Sequence, residues 1–114
     1  MMSAITTHVL DTALGRPAAG VHVQLQVGEG RAWRPLADGK TGSDGRLRSL
    51  ADSAQPLESG VYRLVFDTGS YFNGAGTTAF HPRVTVEFTV DGTASHYHVP
   101  LLISPFGYTT YRGT

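Results

Sequence analysis

The stretch His96-Tyr97-His98-Val99-Pro100 sets two imidazoles two residues apart in a 114-residue chain that holds five histidines. Alternate side chains of a β-strand face opposite ways, so a strand here puts His96 and His98 on one face and Tyr97 and Val99 on the other. Imidazole titrates near neutral pH. The pair therefore fits a general base with a neighbour that orients it, a His-x-His metal site, or plain surface decoration. Other polar groups could join it. His8 lies in ITTHVLD, Arg46 follows the turn Ser43-Asp44-Gly45, and Tyr111, Arg112, Gly113 and Thr114 end the sequence. Taken singly, a histidine in a first strand is more often an ordinary residue, and an arginine beside a tight turn is more often solvated. Terminal residues usually fray. This tail, however, follows the apolar run LLISPFGY, which predicts that it docks and gathers a phenol, a guanidinium and a carboxylate into one small volume. Asp67, Glu87 and Asp91 make no obvious carboxylate pair, and Gly28-Glu29-Gly30 lacks the strand and helix context of a phosphate cradle.

The elements that must hold these groups are strands. In VHVQLQV, Val21, Val23, Leu25 and Val27 alternate with His22, Gln24 and Gln26; RVTVEFTV repeats the device with Val84, Val86, Phe88 and Val90. VYRLVFDT is apolar on both faces apart from Arg63, the pattern of a more central strand. Turn chemistry at Gly15-Arg16-Pro17, Asp38-Gly39, Ser43-Asp44-Gly45 and Asp91-Gly92 punctuates the runs, and the spacing predicts an all-β sandwich with mainly antiparallel sheets. One segment, DTGSYFNGAG, predicts a short helix with Thr68 or Ser70 as N-cap and Gly74 or Gly76 closing it. Pro100 cannot donate to a ladder, so its strand is expected to be an edge or to carry a bulge beside the histidines.

Length implies a single domain over residues 1–114. The absence of cysteine excludes disulfides and thiolate zinc sites. Nine basic and nine acidic residues, interspersed, give zero formal net charge and no electrostatic footprint for nucleic acid or an anionic membrane. Charged residues make up 16% of the chain, below the roughly 25% of ordinary soluble domains, which fits covered surface and oligomerisation or a small β domain with many Gly and Thr. No stretch reads as a secretory signal or a membrane span, and the ending is not a peroxisomal address, so a cytoplasmic location is expected.

TTHVLDTALGRPA (Thr6–Ala18), SDGR (Ser43–Arg46), GVYRLVFDTGSYF (Gly60–Phe72) and HYHVPLLISPFGYTTYRGT (His96–Thr114) resemble the 5-hydroxyisourate hydrolases, the transthyretin-like enzymes of urate degradation. The resemblance spans essentially the whole chain. Its most specific part is the HYHxPLLLSP-type run followed by a terminal Tyr-Arg-Gly-Ser; here Thr114 stands for the serine, keeping the hydroxyl and adding a methyl. What the resemblance implies is a transthyretin-like (prealbumin) sandwich of about eight strands with one short helix. It also implies a homotetramer, a dimer of dimers with its sites at the dimer–dimer interface. The implied reaction converts 5-hydroxyisourate to 2-oxo-4-hydroxy-4-carboxy-5-ureidoimidazoline, with no cofactor and no metal. Matched position by position, the implied catalytic residues are His8, Arg46 and His98, and the implied substrate-binding residues are His8, Arg46, Tyr111, Arg112, Gly113 and Thr114. His98 would activate water, His8 would hold the water or the base, and Arg46 would clamp the substrate. Ser104 before Pro105 lacks a nucleophile-elbow context, which favours direct attack by water. Two rivals stand beside this reading: a zinc hydrolase built on His8, His96 and His98, and a hormone-binding protein like the transthyretins themselves.

Overall fold

The computed structural model describes residues 4–48, 50 and 57–114. Among them are nine strands and one helix: β1 (Ile5–Asp11), β2 (Arg16–Pro17), β3 (His22–Glu29), β4 (Ala32–Lys40), β5 (Arg46–Leu47), β6 (Gly60–Phe66), α1 (Thr68–Gly74), β7 (Val84–Val90), β8 (Tyr97–Ser104) and β9 (Gly107–Thr110). One sheet runs β4-β3-β6-β7. The other runs β2-β1-β8-β9, with β5 also on β1. Their apolar faces meet in one core, where Val23, Leu25, Leu64 and Phe66 of the first sheet pack with Ile5, Val9, Leu101 and Ile103 of the second. Each such fully buried side chain contributes about 1.5–3 kcal/mol. Val21, Val23 and Leu25 of the β3 run and Val84, Val86 and Val90 of β7 are buried as the period-two pattern marks them, with Val27 and Phe88 partly buried, and β6 lies inside its sheet as its two-sided apolarity predicts.

Four local expectations are corrected. Asp38-Gly39 is not a turn: both residues lie in β4, where Gly39 pairs with Val23 and Asp38 with Gln24, so sheet pairing overrides local turn propensity. Gly15 ends its turn, and Arg16-Pro17 already form β2 against Leu10 and Asp11. The N-cap of α1 is Asp67, whose carboxylate accepts the Ser70 N–H; Thr68 is the first helical residue, and Ala75 caps the other end ahead of Gly76. Finally, the β1–β8 register is unbroken from Ile5↔Tyr97 to Asp11↔Ile103, and β8 lies between β1 and β9, so Pro100 marks neither a bulge nor an edge strand. The β8–β9 ladder begins at Leu101↔Thr110, and a separate bridge joins His98 to Gly113. Pro100 sits in the gap between them, where its carbonyl accepts the Thr110 hydroxyl at 2.7 Å.

Two polar knots fix the ends of the strands that carry the site. Asp11, only 2% exposed, accepts the N–H groups of Ala13 and Leu14 and the Tyr71 hydroxyl, tying α1 to the end of β1. Burial, and then this carboxylate, push the Tyr71 phenol up to about 12. At the start of β8, Tyr97 donates its hydroxyl to Asp91 at 3.2 Å. Hydrogen bonds from the Thr93 hydroxyl and N–H, and then from Tyr97, hold the Asp91 carboxyl down at about 2. No helix among the described residues is long and apolar enough to cross a membrane.

Candidate active site

Parallel pairing of β1 with β8 is what assembles the polar groups. It sets Thr6 opposite His98 and His8 opposite Pro100, while β5, on the other side of β1, places Arg46 opposite His8. Ile5, Val9, Val99 and Leu101 alternate into the core, so Thr6, His8 and His98 belong to the outer face of the same sheet. Arg46 joins that face because Leu47, its neighbour, is buried. The turn leading into β5 needs glycine at position 45: φ is +77°, and a Cβ there would overlap the Val9 carbonyl oxygen.

Each imidazole has a definite partner. His8 Nε2 lies 2.9 Å from the Asp44 backbone carbonyl. A carbonyl only accepts, so Nε2 carries the proton and Nδ1 keeps its lone pair. His98 Nδ1 and His96 Nε2 lie 2.8 and 2.9 Å from the same Thr6 hydroxyl, and the two rings stack with centroids 6.4 Å apart. His96 and His98 therefore share a face, as alternation predicts. Burial lowers the pKa of His98, and the charges of His96, Arg46 and His8 lower it further. At neutral pH the ring is held uncharged and able to take a proton.

The tail docks through its backbone. Gly113 donates its N–H to the His98 carbonyl at 2.8 Å, and a Cβ at position 113 would lie 2.6 Å from His98 Cδ2 and 3.1 Å from Pro100 Cγ. Tyr111 is 57% exposed, and the Arg112 guanidinium lies 5.1 Å from the centre of the Tyr97 ring. Of the expected phenol, guanidinium and carboxylate, Tyr111 and Arg112 line one cleft, while Thr114 is exposed and is not part of its lining. A cleft of about 300 Å³ at the sheet edge, lined by Glu87, Phe88, Tyr97, His98, Tyr111 and Arg112 among others, reaches His98 from that side. Among the described residues no three His, Asp or Glu side chains converge in a metal-binding group.

Residues 5–113 match the HIUase/Transthyretin family. The chain belongs to that family. Within the HIUase/Transthyretin family it is 46% identical to the 5-hydroxyisourate hydrolase of Deinococcus radiodurans, the alignment covering 96% of this chain and 95% of that one. It is 44% identical to the enzyme of the same name from Caulobacter vibrioides, over 99% and 100% of the two chains. Among solved structures, the 5-hydroxyisourate hydrolase of Klebsiella pneumoniae superposes with a TM-score of 0.84 at 38% identity, covering 98% of this chain and 100% of that one. Another family member, Sparus aurata transthyretin, superposes with a TM-score of 0.90 at 33% identity over 97% of each chain.

Sequence reading singled out His8, Arg46 and His98, which share one face, but missed Thr6. The available signal was its place two residues before His8, on the same face of a strand. Nothing local shows that this hydroxyl meets two imidazoles some 90 residues further along the chain.

Proposed function

We propose that this chain is a single-domain 5-hydroxyisourate hydrolase that opens the six-membered ring amide by direct attack of water, without cofactor or metal. The observation that carries the reading is the meeting of a neutral-leaning His98, His8 and Arg46 on one sheet face, in a chain so similar to enzymes of that name. His98 takes the proton as water attacks the carbonyl. His8 has its Nε2–H committed to Asp44, which leaves Nδ1 free to accept from the water and aim it. Arg46, a planar fork of donors that stays charged, binds the carbonyl-rich edge and offsets the charge that develops on oxygen. Tyr111, Arg112, Gly113 and Thr114 form the wall on the tail side.

Support for a metal-free reaction is that one nitrogen of each ring is already engaged, His8 Nε2 by Asp44 and the nearer nitrogens of His96 and His98 by Thr6, and that no three His, Asp or Glu side chains among the described residues converge in a metal-binding group. The outer face is open in one chain. A homotetramer, with the site at its dimer–dimer interface, would close it and exclude water. Phe80 and Phe106, 72% and 76% exposed, are apolar surface that such an assembly can cover.

The deciding experiment generates 5-hydroxyisourate with urate oxidase, adds this protein, and follows ultraviolet absorbance with and without a chelator. Acceleration over spontaneous decay that survives the chelator supports the hydrolase; acceleration lost with the chelator returns the histidines to a zinc reading. No acceleration by the folded protein moves the weight to ligand binding. A solved sea bream transthyretin holds thyroxine and superposes with a TM-score of 0.90, but backbone shape is shared across functions, so thyroxine binding is measured in parallel.

Two further outcomes follow from the geometry. Because His98 must be neutral to act and its pKa is lowered, the acid limb of the kcat/KM profile is expected to have its midpoint below 6.5, the ordinary histidine value. A midpoint at or above that value would count against His98 as the base. The sign for stability is the same: the unfolded chain binds this proton more readily, so the contribution is present above 6.5 and is lost as pH falls. Gly113→Ala forces a methyl against the His98 ring and Pro100. Displacements on the order of 1 Å cost about 10²-fold, so kcat/KM should fall by that order with little change in the melting temperature.

A further inference from the structure

Thr6 is 3% exposed and its hydroxyl lies between two ring nitrogens, Nδ1 of His98 at 2.8 Å and Nε2 of His96 at 2.9 Å. A hydroxyl has one proton to donate and accepts through its lone pairs. It can donate to one imidazole at most, so at least one of the two rings must donate to it, which couples their protonation sites. If Thr6 donates to His98, that ring carries its proton on Nε2 and has no lone pair left to take one from water. In the opposite arrangement His98 Nδ1–H donates to Thr6, the Thr6 hydroxyl donates to His96 Nε2, and His98 Nε2 is left with a lone pair facing away from Thr6.

We propose that Thr6 is a positioning residue that holds His98 in its base-competent tautomer and relays the proton it gains to His96. The proposal rests on the hydrolase reading above and gives His96 a role. As the water oxygen bonds to the carbonyl carbon, its proton passes to His98 Nε2. The Nδ1 proton then shifts to Thr6 Oγ1 while the Thr6 hydroxyl proton shifts to His96 Nε2, which leaves His98 neutral, Thr6 unchanged and His96 charged. When the carbon–nitrogen bond breaks, His98 Nε2–H protonates the departing ring nitrogen. The proton on His96 returns through Thr6 to His98 Nδ1, so atoms and charge balance over the cycle.

The surroundings of His98 disfavour a charge that stays on it. Around His98 stand Arg46 of β5, His8 of β1 and His96 of its own segment, with Glu87 of β7 and Tyr111 and Arg112 of the tail on the cleft side. Arg46 disfavours a lasting imidazolium at His98, and His96 offers the only second imidazole bonded to the same hydroxyl among the described residues.

The test compares Thr6→Val, which keeps the branched shape and loses the hydroxyl, with Thr6→Ser, which restores it. Thr6→Val should lower kcat at least about tenfold with KM nearly constant, and Thr6→Ser should stay within about threefold of the parent. His96→Gln should lower kcat similarly, and adding it to Thr6→Val should cost little more, because the two act as one unit. A readout independent of turnover is the ¹⁵N imidazole spectrum at about pH 8, above the ordinary histidine range. It is expected to show His98 and His96 each protonated on Nδ1, a pattern lost in Thr6→Val. His98 protonated on Nε2 in the parent, or a Thr6→Val variant with unchanged kcat and pH profile, overturns the proposal. Because the spectrum needs no substrate, failure of the tautomer lock is distinguishable from failure of the hydrolase assignment.

Discussion

His98→Ala should lower kcat/KM for ring opening by about 10²- to 10⁴-fold, the range that a positioned acid–base group contributes. The substitution removes the base yet leaves the scaffold in place. His98 is half-buried on the outer face, and its backbone, which accepts the Gly113 N–H and pairs with Thr6, is untouched. Thr6 keeps a partner in His96, so no buried hydroxyl is orphaned. The check is steady-state kinetics on 5-hydroxyisourate beside thermal unfolding. A folded variant with kcat/KM close to the parent removes His98 from the mechanism.

The second large effect is expected at Arg46. Loss of a preorganised donor facing a developing oxyanion typically costs about 10²- to 10³-fold, and Arg46→Ala should fall in that range. Arg46→Lys should recover part of it, since an ammonium supplies the charge without the planar fork. Stability should hardly change. The contact of Arg46 with Asp44 is a 4.0 Å pair between partly exposed side chains, a kind worth about 0–1 kcal/mol. The backbone N–H of residue 46 still bonds the Asp44 carboxylate after substitution. The same variant carries a second readout. Arg46 is one of the charges that lower the His98 pKa, so the acid limb of its pH profile should move up toward the ordinary histidine value. Unchanged kcat/KM together with an unmoved acid limb would exclude Arg46 from the site.

Much of this molecule was legible in its sequence because strand alternation is a local signal. The buried residues of β3 and β7, the inner position of β6, the shared face of His96 and His98, and the turn before Arg46 all follow from a period of two and from glycine or asparagine-like turn chemistry. Family resemblance added His8, Arg46 and His98 as a set. Where local reading failed, a non-local contact had overridden propensity: Asp38-Gly39 looks like a turn but is drawn into β4 by pairing with Gln24 and Val23.

What only the tertiary structure decided is how the two ends of the chain meet. The parallel register of β1 and β8 is chosen by which apolar faces fit the core, and it carries Thr6 to His98 as a consequence. The tail likewise follows from pairing. Gly113 opposite His98 brings the tail alongside β8, with Arg112 over the Tyr97 ring, a placement invisible in the string Tyr-Arg-Gly-Thr. Side-chain type and spacing determine which chemistry is available. Register, a property of two strands and not of one, determines which groups touch, because a slip of one residue would turn every one of them to the opposite face.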